Sequence, residues 1–282
     1  MRSIAVMNQK GGVAKTTTVV NLGAALAEMA MRVCLIDLDP QAHATLHLGI
    51  DPRPDRPSVY DVLTSGLPVG EVRQQVAENL WVVGSSLDLA GAEIELAEVA
   101  GREGILRARL REDDFRFDYL LIDCPPSLGI LTLNALVAAG EVFIPLQPHF
   151  LALHGLSKLL ETIELVAERM NSALTLGGVI FCMYDSGTRL AAEVSEDVAA
   201  FFRGGRDRPT PWAAAHVLET RVRRNIRLAE APSFGQSILQ YAPSSHGAED
   251  YRRLAQEIVA GQPAIANGKS GSTDSQCKTL HL

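Results

Sequence analysis

Residues 8–17, NQKGGVAKTT, constrain this chain more than any other stretch. They lie between an apolar strand-like run, Ser3-Ile4-Ala5-Val6-Met7, and an apolar helical run from Val19 to Ala30. A glycine-rich turn that leaves a strand and enters a helix presents backbone N–H groups and the positive helix end to an anion. Lys15 and Thr16 add what a nucleoside triphosphate also requires, an ammonium for the β/γ-phosphates and a hydroxyl for Mg²⁺. The usual pattern, G-x-x-x-x-G-K-[ST], is not met, because Gln9 and Ala14 stand where its glycines would be. The loop fits instead the deviant form x-K-G-G-x-x-K-T-T, which brings a second lysine, Lys10. Ala14 departs from the glycine most common in that form, and a methyl group there is tolerable only if the position does not need φ > 0.

Around this loop, short apolar runs alternate with amphipathic helical stretches. Strands are expected at Ser3–Asn8, Arg32–Asp37, Leu80–Val83, Tyr119–Asp123, Val142–Leu146, Gly178–Met183 and Ala214–Leu218. Their nearly continuous apolar character suits a parallel sheet covered on both faces. Helices are expected at Thr16–Ala30, Leu128–Ala139, Leu156–Met170 and Ala191–Phe202, with a closing helix near Ala248–Ala260. The alternation predicts an α/β fold, a doubly wound and mostly parallel sheet with helices on both faces, of the P-loop NTPase type. No internal repeat and no second core is visible. The domain is expected to occupy residues 1–260, and the Gly/Ser/Asn/Lys-rich residues 261–282 a disordered tail. Residues 51–57, rich in Pro and Arg, are expected to form an exposed loop.

Composition narrows the class further. A chain of 282 residues is long enough for one large domain with an ample core or two small ones, and 47% hydrophobic and 21% charged residues are ordinary for a soluble globular protein. No run of about 18 apolar residues exists and the amino-terminal residues show no signal-peptide anatomy, so neither a membrane span nor export is expected. Cys34, Cys124 and Cys182 fall in apolar strand-like runs without C-x-x-C spacing, which predicts buried thiols in a reducing cytoplasm.

Two expected strands end in carboxylates. One reads Leu35-Ile36-Asp37-Leu38-Asp39-Pro40-Gln41 and the other Leu120-Leu121-Ile122-Asp123-Cys124-Pro125-Pro126. Open parallel sheets bind ligands at the carboxyl ends of their strands, so these aspartates share an edge with the glycine-rich loop. Asp123 suits a magnesium ion held through its water shell. Asp39 is then free to orient or deprotonate the attacking water, with Asp37 as support for the metal site.

Together, KGGVAKTT, DLDPQ and LIDCPPS resemble the ParA/Soj class of partition ATPases, within the larger family that includes MinD. Residues 224–235, RNIRLAEAPSFG, resemble the R-N-V-R-L-S-E-A-P-S-x-G segment of that class, and residues 241–248, YAPSSHGA, its closing Y-x-P-x-S-x-G-A segment. The resemblance spans roughly Met1 to Ala260. It implies a phosphate cradle of Gly11, Gly12, Val13, Ala14, Lys15, Thr16 and Thr17, with Lys15 on the β/γ-phosphates and Thr16 on the metal. Lys10 becomes the signature lysine that reaches the opposite subunit's phosphates in an ATP·Mg²⁺ sandwich dimer. Asp39 is required for hydrolysis, Asn225 lies near the adenine, and Met183 sits under the base. The family often has proline where Arg223 stands. The implied partners are a second copy of the chain, nonspecific double-stranded DNA and a ParB-like protein that stimulates a weak basal ATPase. The implied location is the cytoplasm, on the nucleoid, with no membrane attachment. Cargo, whether chromosome, plasmid or another body, is left open.

The overall net charge of −7 argues against a uniformly basic nucleic-acid binder. Within residues 203–227, however, seven arginines (203, 206, 208, 221, 223, 224 and 227) face only Asp207 and Glu219, a local charge of +5. Arginine clusters bind phosphodiester backbones without reading sequence. Arg221, Arg223, Arg224 and Arg227 are therefore the candidate DNA contacts; the opposing reading is a solvated helix with internal ion pairs, such as Arg227 with Glu230 at i,i+3.

Other readings on the same scaffold fit less well. A MinD-type membrane ATPase needs a basic amphipathic C-terminal helix, and GQPAIANGKSGSTDSQCKTLHL has no such periodicity. A tyrosine kinase of this type carries a C-terminal tyrosine cluster, whereas the last tyrosine here is Tyr251. An iron–sulfur reductase needs paired cluster cysteines in the matching loops. A nucleotide-switched DNA-bound scaffold without turnover also stands, and an ATPase assay separates it from an enzyme.

Overall fold

In the computed structural model, which describes residues 1–149, 152–205 and 209–261, the order of buried apolar runs sets the topology. The strands are β1 (Arg2–Val6), β2 (Val33–Asp37), β3 (Gln74–Ala77), β4 (Leu80–Val83), β5 (Tyr119–Asp123), β6 (Glu141–Leu146) and β7 (Thr175–Phe181). They form one sheet in the order β3-β4-β2-β5-β1-β6-β7. All neighbours are parallel except the β3–β4 hairpin at one edge. The expected doubly wound α/β fold is therefore present.

Alternation along each strand feeds two apolar layers. Ala5, Met7, Cys34, Ile36, Leu120 and Ile122 face a layer shared with α3 (Val59–Thr64), α5 (Leu89–Glu95), α6 (Ile105–Glu112), α7 (Ile130–Ala138), α8 (Ala152–Arg169) and α9 (Arg189–Gly205). Ile4, Val6, Val33, Leu35, Tyr119 and Leu121 face the other layer, built on α1 (Lys15–Glu28) and α12 (His246–Ala260). In α1, Val19, Val20, Leu22, Ala25 and Leu26 are buried against the sheet. The helix lies so close that a Cβ on Gly23 would sit 2.7 Å from Leu35 Cδ2. Cys34, Cys124 and Cys182 are all buried free thiols.

Register delivers the site. Asp123, the last residue of β5, pairs with Val6 on one side and Asp37 on the other. The glycine-rich loop leaves β1 immediately beyond Val6, so it opens over the two aspartates. This is the carboxyl edge of the sheet, near where the strand order reverses, the place such sheets bind ligands.

Two expectations about strands need correction. Ala214–Leu218 does not form a strand; it touches β7 through a single bridge, Val179 with Val217. Glu257 explains why. Its carboxylate accepts the backbone N–H groups of Glu219 (2.6 Å) and Thr220 (2.9 Å), so the ladder is interrupted there before Val222 N–H rejoins the edge at the Phe181 carbonyl (2.8 Å). The second correction is β3, which sequence periodicity does not signal. Gln74, Gln75 and Ala77 carry little apolar area, and the strand exists because Asn79, at φ 58°, turns the chain back along β4. Residues 262–282, and Arg206, Asp207 and Arg208 of the basic stretch, lie outside the described residues.

Candidate nucleotide site

The loop is held from beneath before any side chain reaches a ligand. Asn8 Nδ2 donates to the Pro145 carbonyl at the end of β6 (2.7 Å), and Asn8 Oδ1 accepts from the backbone N–H of Lys10 (3.0 Å). Gly12 then takes φ 72°, with open space around it, and Ala14 takes φ 70°, ψ 29° as it enters α1. A methyl group at position 14 is expected only where φ stays negative. The chain adopts the left-handed region there regardless, at a steric cost of about 1–2 kcal/mol for a non-glycine residue. Tertiary anchoring over-determines the turn, since Thr18 N–H bonds the Ala14 carbonyl (2.9 Å) and Asn8 fixes the loop's start.

Lys15 is buried in the first turn of α1, its Nζ 3.4 Å from the Lys10 carbonyl oxygen. Burial lowers its basicity, while Asp123 and Asp39 oppose that effect. Thr16 Oγ1 donates to Asp123 Oδ2 (2.6 Å). Asp123 is fully buried, and its other oxygen, Oδ1, has no hydrogen-bond partner. Burial, and then the nearby charge of Asp37, push its carboxyl well above the ordinary range. An orphaned buried carboxylate oxygen is costly unless a cation or donor completes it.

Asp37 is equally buried but is fully engaged. Its Oδ1 accepts from Asp39 N–H (3.1 Å), and its Oδ2 from Thr45 N–H (2.9 Å) and Thr45 Oγ1 (2.7 Å). It therefore braces the Asp39 turn and the short helix α2 (His43–His47) rather than presenting a free oxygen. Asp39 is 8% exposed; its Oδ1 accepts from Gln41 N–H (2.9 Å) and its carbonyl from Ser85 Oγ (2.8 Å).

These residues fit magnesium. The donor set is hydroxyl and carboxylate oxygen, which hard cations select. Asp123 and Asp39 face the buried Lys15 ammonium, and a cation would relieve the burial cost that lifts the Asp123 carboxyl. Among the described residues no group of three or more His, Cys, Asp or Glu could hold a metal by itself. An ion here must take its remaining ligands from water and phosphate oxygens, as magnesium in nucleotide sites does.

A cleft of about 1030 Å³ opens from the loop. Gly11, Gly12, Ala14, Lys15, Thr16, Thr17 and Asp39 line one end. Leu46, His47, Gly49, Ile50, Asp51 and Met183 line the remainder together with Pro232, Ser233, Phe234 and Gly235. Among the expected residues, Val13 is buried beneath the loop, and Lys10 is exposed at its mouth. Asn225 caps α10 (Ile226–Glu230) by accepting from Arg227 N–H and is absent from the cleft lining.

The 46–51 wall has no counterpart among the sequence expectations, because it is built by a contact between distant loops. Gly49 (φ 77°) and Gly235 (φ 64°) cross in contact; a Cβ on Gly235 would lie 2.7 Å from Gly49 Cα. The crossing joins two loops separated by 186 positions, which no local pattern reveals. His47 lies against it, 2% exposed, with Nε2 unpartnered. Burial drops its pKa to about 4, partly offset by a bond to the Gln236 backbone.

The four candidate DNA arginines meet different fates. Arg223 is paired with Asp250 through Nη2 (2.5 Å) and Nε, and with Glu249 (2.9 Å). Arg227 pairs with Glu230 (2.8 Å), and Arg221 donates to Tyr184 Oη (2.7 Å) with its guanidinium 4.5 Å from the ring centre. Arg224 is exposed, and its side chain makes no ion pair among the described residues.

Fold and site together define an α/β protein with a phosphate loop and an acidic, cation-ready sheet edge. A family model described as an AAA domain matches residues 1–176. The sporulation initiation inhibitor protein Soj of Bacillus subtilis (strain 168) is 46% identical over 258 residues, covering 91% of this chain and 98% of that protein. The chromosome-partitioning ATPase Soj of Thermus thermophilus is 45% identical, covering 92% and 96%. A crystal structure of cobyrinic acid a,c-diamide synthase from Mycobacterium smegmatis, with bound ATP analog and magnesium, superposes with TM-score 0.77 at 39% identity, covering 92% of this chain and 94% of that one. The chain belongs to the ParA/Soj family of partition ATPases. No helix among the described residues is long and apolar enough to cross a membrane.

Proposed function

We propose that this chain is an ATP- and Mg²⁺-dependent partition ATPase that hydrolyses ATP to ADP and phosphate at a weak basal rate. The observation that carries the reading is the pairing of Thr16 with Asp123, whose second oxygen is buried without a partner beneath the phosphate loop. When bound, magnesium supplies charge neutralisation between the β- and γ-phosphates. Gly11, Gly12, Val13, Ala14, Thr16 and Thr17 cradle the phosphates, and Lys15 compensates their charge. Thr16 and Asp123 would hold the ion, and Asp37 braces the turn that carries Asp39. Asp39 orients or deprotonates water, and Met183 and Asn225 serve the base side. The mycobacterial structure bears a biosynthetic name, but the order of KGGVAKTT, DLDPQ, LIDCPPS and RNIRLAEAPSFG favours the partition reading.

Two subunits close on two nucleotides in this reading, and Lys10 reaches the opposite phosphates. A cation delivered in this way resembles an arginine finger, worth about 10³–10⁵ in rate. The closed dimer holds nonspecific duplex DNA through Arg221, Arg223, Arg224 and Arg227. A ParB-like partner stimulates hydrolysis, which opens the dimer and releases DNA. Residues 1–260 form the ATPase domain and 261–282 a tail, in a cytoplasmic, nucleoid-associated protein. Three or four phosphate contacts per subunit give a slope of log affinity against log salt of about −5 to −7 for the ATP-bound form. A slope near zero removes DNA from the account. An ATPase rate equal in the parent and Asp39→Ala leaves a nucleotide-switched scaffold.

A further inference from the structure

The cation assigned to catalysis has a resting place on its own chain. Lys10 Nζ lies 2.9 Å from His149 Nε2, across 139 positions of sequence. The same two segments are joined a second time below this contact. Asn8 bonds the Pro145 carbonyl at the end of β6 and also holds the Lys10 backbone N–H, and β6 runs on through Gln147 and Pro148 to His149. The loop that carries Lys10 and the segment that carries His149 are therefore fixed to each other. Their side chains meet in an exposed contact next to Gly11 and Gly12 of the cleft wall, and neither side chain lines the cleft itself.

Chemistry assigns the direction of this bond. A lysine ammonium has three N–H donors and no acceptor, so imidazole must accept through Nε2 and carry its proton on Nδ1. Burial and the charge of Lys10 both lower the basicity of His149, which keeps the ring neutral. Asp39 and Asp51 line the cleft, where Lys15 is the one lysine among the lining residues, and Asp37 and Asp123 are fully buried. A mobile ammonium on Lys10 would be drawn into that cleft, where Lys15 already serves.

We propose that His149 is a positioning residue that keeps the Lys10 ammonium out of its own cleft and presented at the mouth, where a second subunit's phosphates arrive. The role rests on the reading of Lys10 given under Proposed function. It adds a residue to that reading, and it gives the nucleotide-free subunit a defined arrangement that shortens Lys10's path to the opposite site.

Three variants of the full chain test the role. Long-range ¹H–¹⁵N spectra of the nucleotide-free protein should show His149 as the neutral Nδ1–H tautomer with Nε2 accepting a hydrogen bond, and Lys10→Ala should shift Nε2 toward its free value. His149→Ala should lower kcat for ATP by about three- to tenfold with KM unchanged, the effect of losing one charge-assisted bond. His149→Gln, whose amide oxygen can accept the same bond, should restore most of the rate. The inference falls if His149 Nε2 ignores Lys10→Ala, or if His149→Ala turns over like the parent while Lys10→Ala is inactive. It also falls if His149→Gln is as slow as His149→Ala. A Lys10→Ala protein that hydrolyses at the parent rate overturns the reading of Lys10 itself, and the role of His149 with it, even where the spectra retain the contact.

Discussion

The glycine-rich edge and the arginine segment were read from the same sequence, yet they handle charge in opposite ways. At the edge, charge and polarity are left incomplete: Asp123 Oδ1 is buried without a partner, and so is His47 Nε2 farther along the cleft. Along residues 221–227, charge is consumed locally, with Arg223 on Asp250 and Glu249 and Arg227 on Glu230. An incomplete buried group costs stability until a ligand satisfies it. A satisfied ion pair on the surface contributes little to stability. The contrast sets an edge with unmet polar groups against an arginine segment in which Arg223 and Arg227 are ion-paired, Arg221 rests on Tyr184 and Arg224 makes no ion pair among the described residues.

The largest stability effect that can break this comparison lies at the cleft. The neutral ring of His47 has a folded pKa of about 4 against about 6.5 unfolded. Between those values the unfolded chain binds more protons, so stability is full above pH 6.5 and is lost as pH falls toward 4. The contribution is on the order of 3 kcal/mol. Denaturant melts of the parent at pH 7 and pH 4.5 should show that loss, and His47→Leu should flatten it. An unchanged slope in the variant means that the ring is not the buried titrating group.

A smaller effect separates the arginines. Arg223→Ala strands the Asp250 carboxylate, 4% exposed at its side chain, and should destabilise by about 1–3 kcal/mol in urea unfolding. Arg224→Ala should change stability by less than about 0.5 kcal/mol while weakening DNA binding and flattening its salt slope by about one. If Arg224→Ala binds DNA like the parent, the arginine segment is solvated surface only.

The smallest effect belongs to Ala14. Glycine relieves the left-handed strain but adds freedom to the unfolded chain, so Ala14→Gly should stabilise by no more than about 1 kcal/mol. A thermal melt reads this directly, and destabilisation would show that the methyl group packs usefully.

The same contrast explains what was legible in one dimension. NQKGGVAKTT, DLDPQ and LIDCPPS announce the site because strand, loop and helix follow one another along the chain, and the sheet topology does the rest. The seven-residue arginine stretch looked like a basic surface because Asp250 lies 27 positions beyond Arg223, on another helix. The Ala214–Leu218 run read as a strand because Glu257, which takes the N–H groups just beyond it, lies 37 positions past Thr220. The Gly49–Gly235 crossing and the Lys10–His149 contact likewise depend on pairs that meet only in the fold. Ala14 is a further case: its left-handed backbone, φ 70°, sits in a loop whose start is tied to the distant Pro145 carbonyl through Asn8, a contact that sequence neighbours do not announce.

The central claim is that the Asp123 carboxylate completes a magnesium site only when a triphosphate occupies the loop. Calorimetric titration of ATP with and without Mg²⁺, on the parent and on Asp123→Asn, tests it most directly. The account predicts that Mg²⁺ tightens ATP binding to the parent by at least about tenfold and has little effect on the variant. Equal magnesium dependence in both proteins would contradict it.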